Sequence, residues 1–189
     1  MSALARTLKQ AIDAWGEAQR QSPLMALARQ GALPPRAVAL YLTSLQELFV
    51  QSQLNLREAL RLTEATGQKA LAEYFRVKTH EEHGHEQWAA SDLGKMPSSV
   101  TGDLAPTAAS RHLAQLQRQL LAEHPLCFVV YVVWAEYLTV LLGDEWLDAL
   151  AVCGYTRSGL SAVSNHVAAD RMHASEGFLA LDELWGLGY

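Results

Sequence analysis

The run His166-Val-Ala-Ala-Asp-Arg-Met-His173 is the most informative part of the chain, with Ala162 and Val163 before it and Gly177 and Leu181 after it. At about 100° per residue, Asp170 lies about 40° from His166, and His173 lies about 20° to the other side. All three side chains therefore leave one helix face, shared with Ala162, Val163, Gly177 and Leu181. That face is apolar enough to be buried, and two imidazoles and a carboxylate buried side by side each need a partner. A metal ion satisfies all three. The alternative is a hydrogen-bonded His–Asp–His cluster that only fixes helix packing.

Five of the seven histidines fall in this run and in Thr79-His-Glu-Glu-His-Gly-His-Glu-Gln-Trp88. Imidazole and carboxylate are the donors that suit iron, manganese and zinc. On a helix read from about Gln68 to Lys95, Leu71, Tyr74, Phe75, Ala89, Asp92 and Leu93 lie within about 80° of His85 and form the apolar stripe. His83 and His80, about 160° and 140° from His85, point away and are expected to be solvated. Glu82 makes Glu-x-x-His with His85, the spacing by which one helix supplies two ligands to a carboxylate-bridged dimetal centre. Glu82 is favoured, with Glu81 as the substitute, and Asp92 is a candidate acceptor behind a ligand imidazole.

Two isolated acids extend the pattern. Glu136 is the only acid between Leu126 and Leu142, and a lone carboxylate in so apolar a helix needs a compensating cation or Tyr and Trp hydrogen bonds. Glu47 shares a face with Leu40, Val50, Leu54 and Leu62, all within about 60° of it. Together Glu47, Glu82, Glu136 and Asp170 with His85, His166 and His173 give four carboxylates and three imidazoles. These suffice to hold two irons, and four carboxylates neutralise two divalent cations, which makes the loaded site tolerable in a core.

The rest of the chain sets the frame. Its 189 residues fit one domain, and 50% apolar against 19% charged residues excludes disorder. A net charge of −5 offers no basic stripe for nucleic acid or for an anionic membrane surface. Cys127 and Cys153 are too few and too far apart for a disulfide framework and read as small hydrophobes. The run from Leu126 to Leu142 is short for a membrane span and suits a core helix. No secretion signal is read at the N-terminus, so a soluble cytoplasmic protein is expected.

Helical periodicity dominates, so the class is all-α. Helices are expected at about Ala3–Arg20, from Ser22-Pro23, from Pro34-Pro35 to Gly67, and from Gln68 to Lys95. Others are expected at Ala108–Ala122, Pro125–Leu142 and Asp144–Val152, with a short one after Tyr155 and a last from Ser164 to Leu184. Residues 97 to 107 form the one long connection.

A ferritin-like dimetal bundle would need a second Glu-x-x-His, which is absent. The set Glu47, Glu82-x-x-His85, Glu136 and His166-x-x-x-Asp170-x-x-His173 instead resembles the haem-oxygenase-like diiron oxidases, also called iron-containing redox enzymes. Residues 81 to 88 are similar to their Glu-Glu-x-Gly-His-Glu-x-Trp signature, which also selects His85 over His83. The resemblance covers roughly Tyr41 to Gly177. It implies a single haem-oxygenase-like multi-helical bundle, the fold shared with thiaminase-like and pyrroloquinoline-quinone-synthase-like proteins. It implies ligand roles for Glu47, Glu82, His85, Glu136, His166, Asp170 and His173, two iron ions with manganese as a substitute, and dioxygen as co-substrate. The expected activity is oxidation of a small organic substrate, a fatty acid or an amino-acid derivative, with a homodimer as the assembly to test.

Rival readings share the fold. Haem oxygenases take an axial histidine from the first helix, and no histidine precedes His80. A thiaminase-like enzyme would need Cys127 or Cys153 as nucleophile, in surroundings that disfavour a thiolate. A metal-free enzyme of the pyrroloquinoline-quinone-synthase type, using histidines as acids and bases, is the runner-up. A non-enzymic helical interaction protein is the third.

Overall fold

Ser2, Ser22 and Thr107 each accept a hydrogen bond from the backbone N–H three residues on, and each starts a helix. In the computed structural model, which describes residues 1–189, these are α1 (Ala3–Arg20), α2 (Pro23–Arg29) and, later, α7 (Ala108–Glu123). Pro35 opens α3 (Pro35–Ala65), followed by α4 (Lys69–Glu81), α5 (His85–Gly94) and the single turn α6 (Ser98–Thr101). After α7 come α8 (Pro125–Val152), a 3₁₀ turn at Arg157–Gly159 and α9 (Ser161–Gly186). There is no strand, as the periodicity predicts.

Three boundaries differ from expectation. Gln68 to Lys95 is not one helix: α4 ends at Glu81, and Gly84 at φ 87° carries the chain into α5. A left-handed residue ends helices readily, and glycine adopts it without a Cβ penalty. The expected break near Gly143 is absent, and α8 runs unbroken to Val152. Gly143 serves packing instead, because a Cβ there would clash with Cγ2 of Val167 on α9. Finally, α9 begins at Ser161, and the helix expected after Tyr155 is only the 3₁₀ turn.

The centre of the bundle is α8, which packs against α9, α1, α7 and α2, while α3 packs against α4, α5 and α7. At 28 residues, and with its first two thirds almost wholly apolar, α8 has the length and composition of a membrane span. Here it is the inner helix of a bundle, with Glu136 buried in it. Two apolar cores form along it. One gathers Phe75, Leu56, Leu71, Phe128, Val133 and Leu181; the other gathers Leu42, Ala89, Leu147, Leu150, Leu160 and Val163. The middle of α8 and of α9 lies between these cores, and that belt holds the polar residues.

Candidate metal centre

The break after α4 separates two adjacent acids. Glu82, at the C-cap, turns to the His85 side, and its Oε2 lies 2.9 Å from His85 Nδ1. His166 reaches in from α9, with Nε2 3.1 Å from His85 Nδ1 and 3.9 Å from Glu82 Oε2. His166 Nδ1 is 2.8 Å from the Ala162 carbonyl, which can only accept, so Nδ1 carries a hydrogen, and in the neutral ring Nε2 presents a lone pair inward. A backbone acceptor fixing the outer nitrogen is the usual support of a metal-ligating imidazole. Both rings are also clamped by stacking, His85 on Trp88 at 4.0 Å and His166 on Phe49 at 4.4 Å between centroids.

A second group lies deeper. Glu136, Asp170 and His173 are all buried and bring one donor atom each within 4.8 Å of the others. His173 Nδ1 is 3.5 Å from Asp170 Oδ1, too long for a hydrogen bond. Gly177 gives Glu136 its room, since a Cβ there would lie 3.0 Å from Glu136 Oε2 and 3.1 Å from Val133 Cγ2. Glu136 Oε2 and His173 Nδ1 are buried without a hydrogen-bond partner. Buried polar atoms in folded proteins are almost always satisfied. Unsatisfied carboxylate and imidazole atoms facing one another are what a cation site looks like without its cation, so these residues fit a metal ion.

Sequence reasoning missed Lys78. Its side chain is only 5% exposed, and Nζ lies 2.8 Å from Glu136 Oε1 and 2.8 Å from Glu81 Oε2. Glu81 Oε2 is also 3.8 Å from His173 Nε2. The signal was available: seven residues before His85, Lys78 falls about 20° from it on the helical wheel, inside the apolar stripe. Glu81 and Glu82 are thus not alternatives, since each serves a different group.

The electrostatics follow. Burial pushes Glu136 up to about 7 against the pull of Lys78, with Glu82 and Glu81 adding to the rise. Burial likewise raises Asp170 to about 8, reinforced by the charges of Glu136 and Glu82. Burial also works against the charge on Glu82, yet His166 and His85 beside it hold its carboxyl well below the usual range. Burial disfavours the Lys78 ammonium, but Glu136 and Glu81 outweigh it, so its pKa is raised. One ammonium does not answer four clustered carboxylates, and further positive charge is needed for all to ionise.

Other expected residues lie elsewhere. Glu47 is exposed on α3 and joins neither group. The stripe that suggested otherwise faces outward, with Val50 40% and Leu54 51% exposed. The buried side of α3 carries Gln51 and Asn55, which a chain of hydrogen bonds from Arg118 through Gln51, Asn55 and Gln117 to Tyr131 makes tolerable. Asp92 backs no imidazole. Its carboxylate accepts from the Ala162 N–H at 2.8 Å and the Ser161 hydroxyl at 2.7 Å, capping α9. His80 and His83 are exposed, as expected.

A cavity of about 360 Å³ adjoins the centre, with Glu82, Glu136, His166 and Asp170 in its wall. The remaining wall is mainly apolar, including Leu45, Leu48, Trp134, Leu138, Leu142 and Trp146, and contains no lysine, arginine or cysteine. Half-exposed Trp15 and Leu24 also line it, so it reaches the surface beside α1 and α2.

The fold is similar to that of a solved structure of a domain of unknown function with a heme oxygenase-like fold from Shewanella denitrificans OS217. The TM-score is 0.81 at 21% identity, over 94% of this chain and 78% of that one. This chain has the haem-oxygenase-like fold. No protein-family model matches it, and no curated protein does. Within the haem-oxygenase-like fold, the thiaminase-like reading loses its nucleophile: neither Cys127 nor Cys153 lines the cavity, and the Cys153 thiol donates to the Ala28 carbonyl instead.

Proposed function

We propose that this protein is a non-haem diiron oxidase or oxygenase that acts on a small organic substrate with dioxygen as co-substrate. One observation carries the reading: Glu136 Oε2 and His173 Nδ1 are buried and unpartnered beside Asp170, next to a second donor group of Glu82, His85 and His166. Glu82, His85 and His166 would hold one iron, and Glu136, Asp170 and His173 the other. The chemistry such a pair supplies is the activation of dioxygen by stepwise electron transfer.

The protein's own residues prepare that chemistry. Ala162 fixes the His166 ring, Trp88 and Phe49 clamp the two imidazoles, and Asp92 anchors the start of α9. The apolar wall of the cavity excludes water from the carboxylates and favours a substrate with an apolar body. With no lysine or arginine in that wall, the polar end of the substrate is expected at the carboxylate and imidazole end.

A second reading, a metal-free enzyme of the same fold working by proton transfer, is favoured by Lys78, which already gives Glu136 a cation. Anaerobic titration with Fe(II) separates the two. The diiron reading expects about two irons per chain and dioxygen uptake by the loaded protein. Absence of iron binding supports the metal-free enzyme and ends the diiron proposal.

A further inference from the structure

Lys78 has no counterpart among the other ion-paired lysines and arginines, whose side chains are 27% to 64% exposed. It is buried and divides its ammonium between Glu136 on α8 and Glu81 on its own helix. Glu136 is also one of the second group's three donors. An ammonium 2.8 Å from Glu136 Oε1 and a divalent cation bound to Glu136 claim the same negative charge and repel each other at close range. The first group has no lysine or arginine in it: Glu82 lies against His85 and His166, whose imidazoles lose their charge by giving up a proton when they ligate a metal.

Glu81 gives the ammonium an alternative place. It sits one turn after Lys78, and its side chain is 23% exposed against 5% for Glu136, so a lysine held by Glu81 alone needs less desolvation. We infer that Lys78 is a built-in counter-ion for the second metal position. The Glu82–His85–His166 position fills first, and the Glu136–Asp170–His173 position fills only as the ammonium withdraws from Glu136 towards Glu81. This inference rests on the dimetal reading above. Lys78 is here a positioning residue, acting on the metal through Glu136.

The test is anaerobic titration of the full chain with Mn(II), followed by calorimetry and by thermal unfolding. The wild-type protein is expected to bind one tight equivalent and a second at least tenfold weaker. Lys78→Met should tighten the second equivalent at least tenfold and leave the first within twofold. It should also lower the melting temperature of the metal-free protein while enlarging the rise that Mn(II) produces, which a merely structural lysine would not do. Glu81→Gln, which keeps size and fold, should weaken the second equivalent further by leaving the ammonium on Glu136. It decides the matter even where Lys78→Met does not fold. Two equivalents insensitive to both substitutions overturn the inference and leave the dimetal reading standing. No Mn(II) binding in wild-type protein, with His85→Ala indistinguishable from it, overturns both.

Discussion

The Glu82–His85–His166 group and the Glu136–Asp170–His173 group share α9 but differ in how their charge is answered. In the first, Glu82 is hydrogen-bonded to His85, His166 is fixed by a carbonyl, and both rings are stacked on aromatic neighbours. In the second, Glu136 Oε2 and His173 Nδ1 are buried without a hydrogen bond, and the only full positive charge at hand is that of Lys78 on Glu136 Oε1. Convergence of acids and imidazoles makes both groups. Counter-charge leaves one of them settled as it stands and the other, on the proposed reading, in need of a further cation.

The strongest way to break this contrast is by substitution within each group. His85→Ala should abolish the tight metal equivalent, weakening it by about 100-fold or more, in line with the loss of a ligand on which affinity depends. Asp170→Ala should remove only the second equivalent. Calorimetric Mn(II) titration of both variants checks this, and a variant of either group that keeps both equivalents contradicts it.

Acidity sharpens the same contrast. Asp170 at about 8 and Glu136 at about 7 hold protons in the folded protein at pH values where the unfolded chain, titrating near about 4, has released them. Their contribution to stability is therefore full at low pH and fades as pH rises from about 4 to about 8. Glu82 works in the opposite sense: its depressed value adds stability above the unfolded carboxylate range and loses it progressively as pH falls below that range. Metal-free protein should therefore melt lower at pH 8 than at pH 5, and saturating Mn(II) should flatten or reverse that slope by replacing the protons. A melting temperature that climbs with pH in metal-free protein would contradict the raised pKa values of Glu136 and Asp170.

Smaller effects separate scaffold from centre. Asp92→Ala removes the cap of α9, which carries ligands of both groups, and should cost about 1–2 kcal/mol in urea unfolding. Both metal equivalents should weaken together rather than one alone. Glu47→Ala should change stability by less than about 0.5 kcal/mol and leave Mn(II) stoichiometry untouched, because Glu47 is exposed.

The fold was legible because helix signals in this chain are local: proline at Pro23, Pro35 and Pro125 marks starts that the structure keeps. Glycine was harder, since the residue serves opposite ends. Gly84 breaks a helix by its left-handed backbone, while Gly143 lets α8 touch Val167 and breaks nothing. Of the seven expected ligands, six fall into the two groups, because period 3.6 carries a side chain's direction along one helix. Glu47 lies outside both groups because direction on a helix does not say which face is covered. On α3 the apolar stripe around Val50 and Leu54 is outside, and a polar network lies within. Lys78 was passed over because a lysine amid apolar residues reads as a surface charge until its two acid partners, one on another helix, are in view.

The most direct measurement is a crystal structure of the protein grown with Mn(II), with anomalous scattering recorded to locate the metal. The account predicts two buried peaks, one among Glu82, His85 and His166 at higher occupancy and one among Glu136, Asp170 and His173, with the Lys78 ammonium moved off Glu136. A centre that stays empty at saturating Mn(II), with Lys78 still on Glu136, would contradict it.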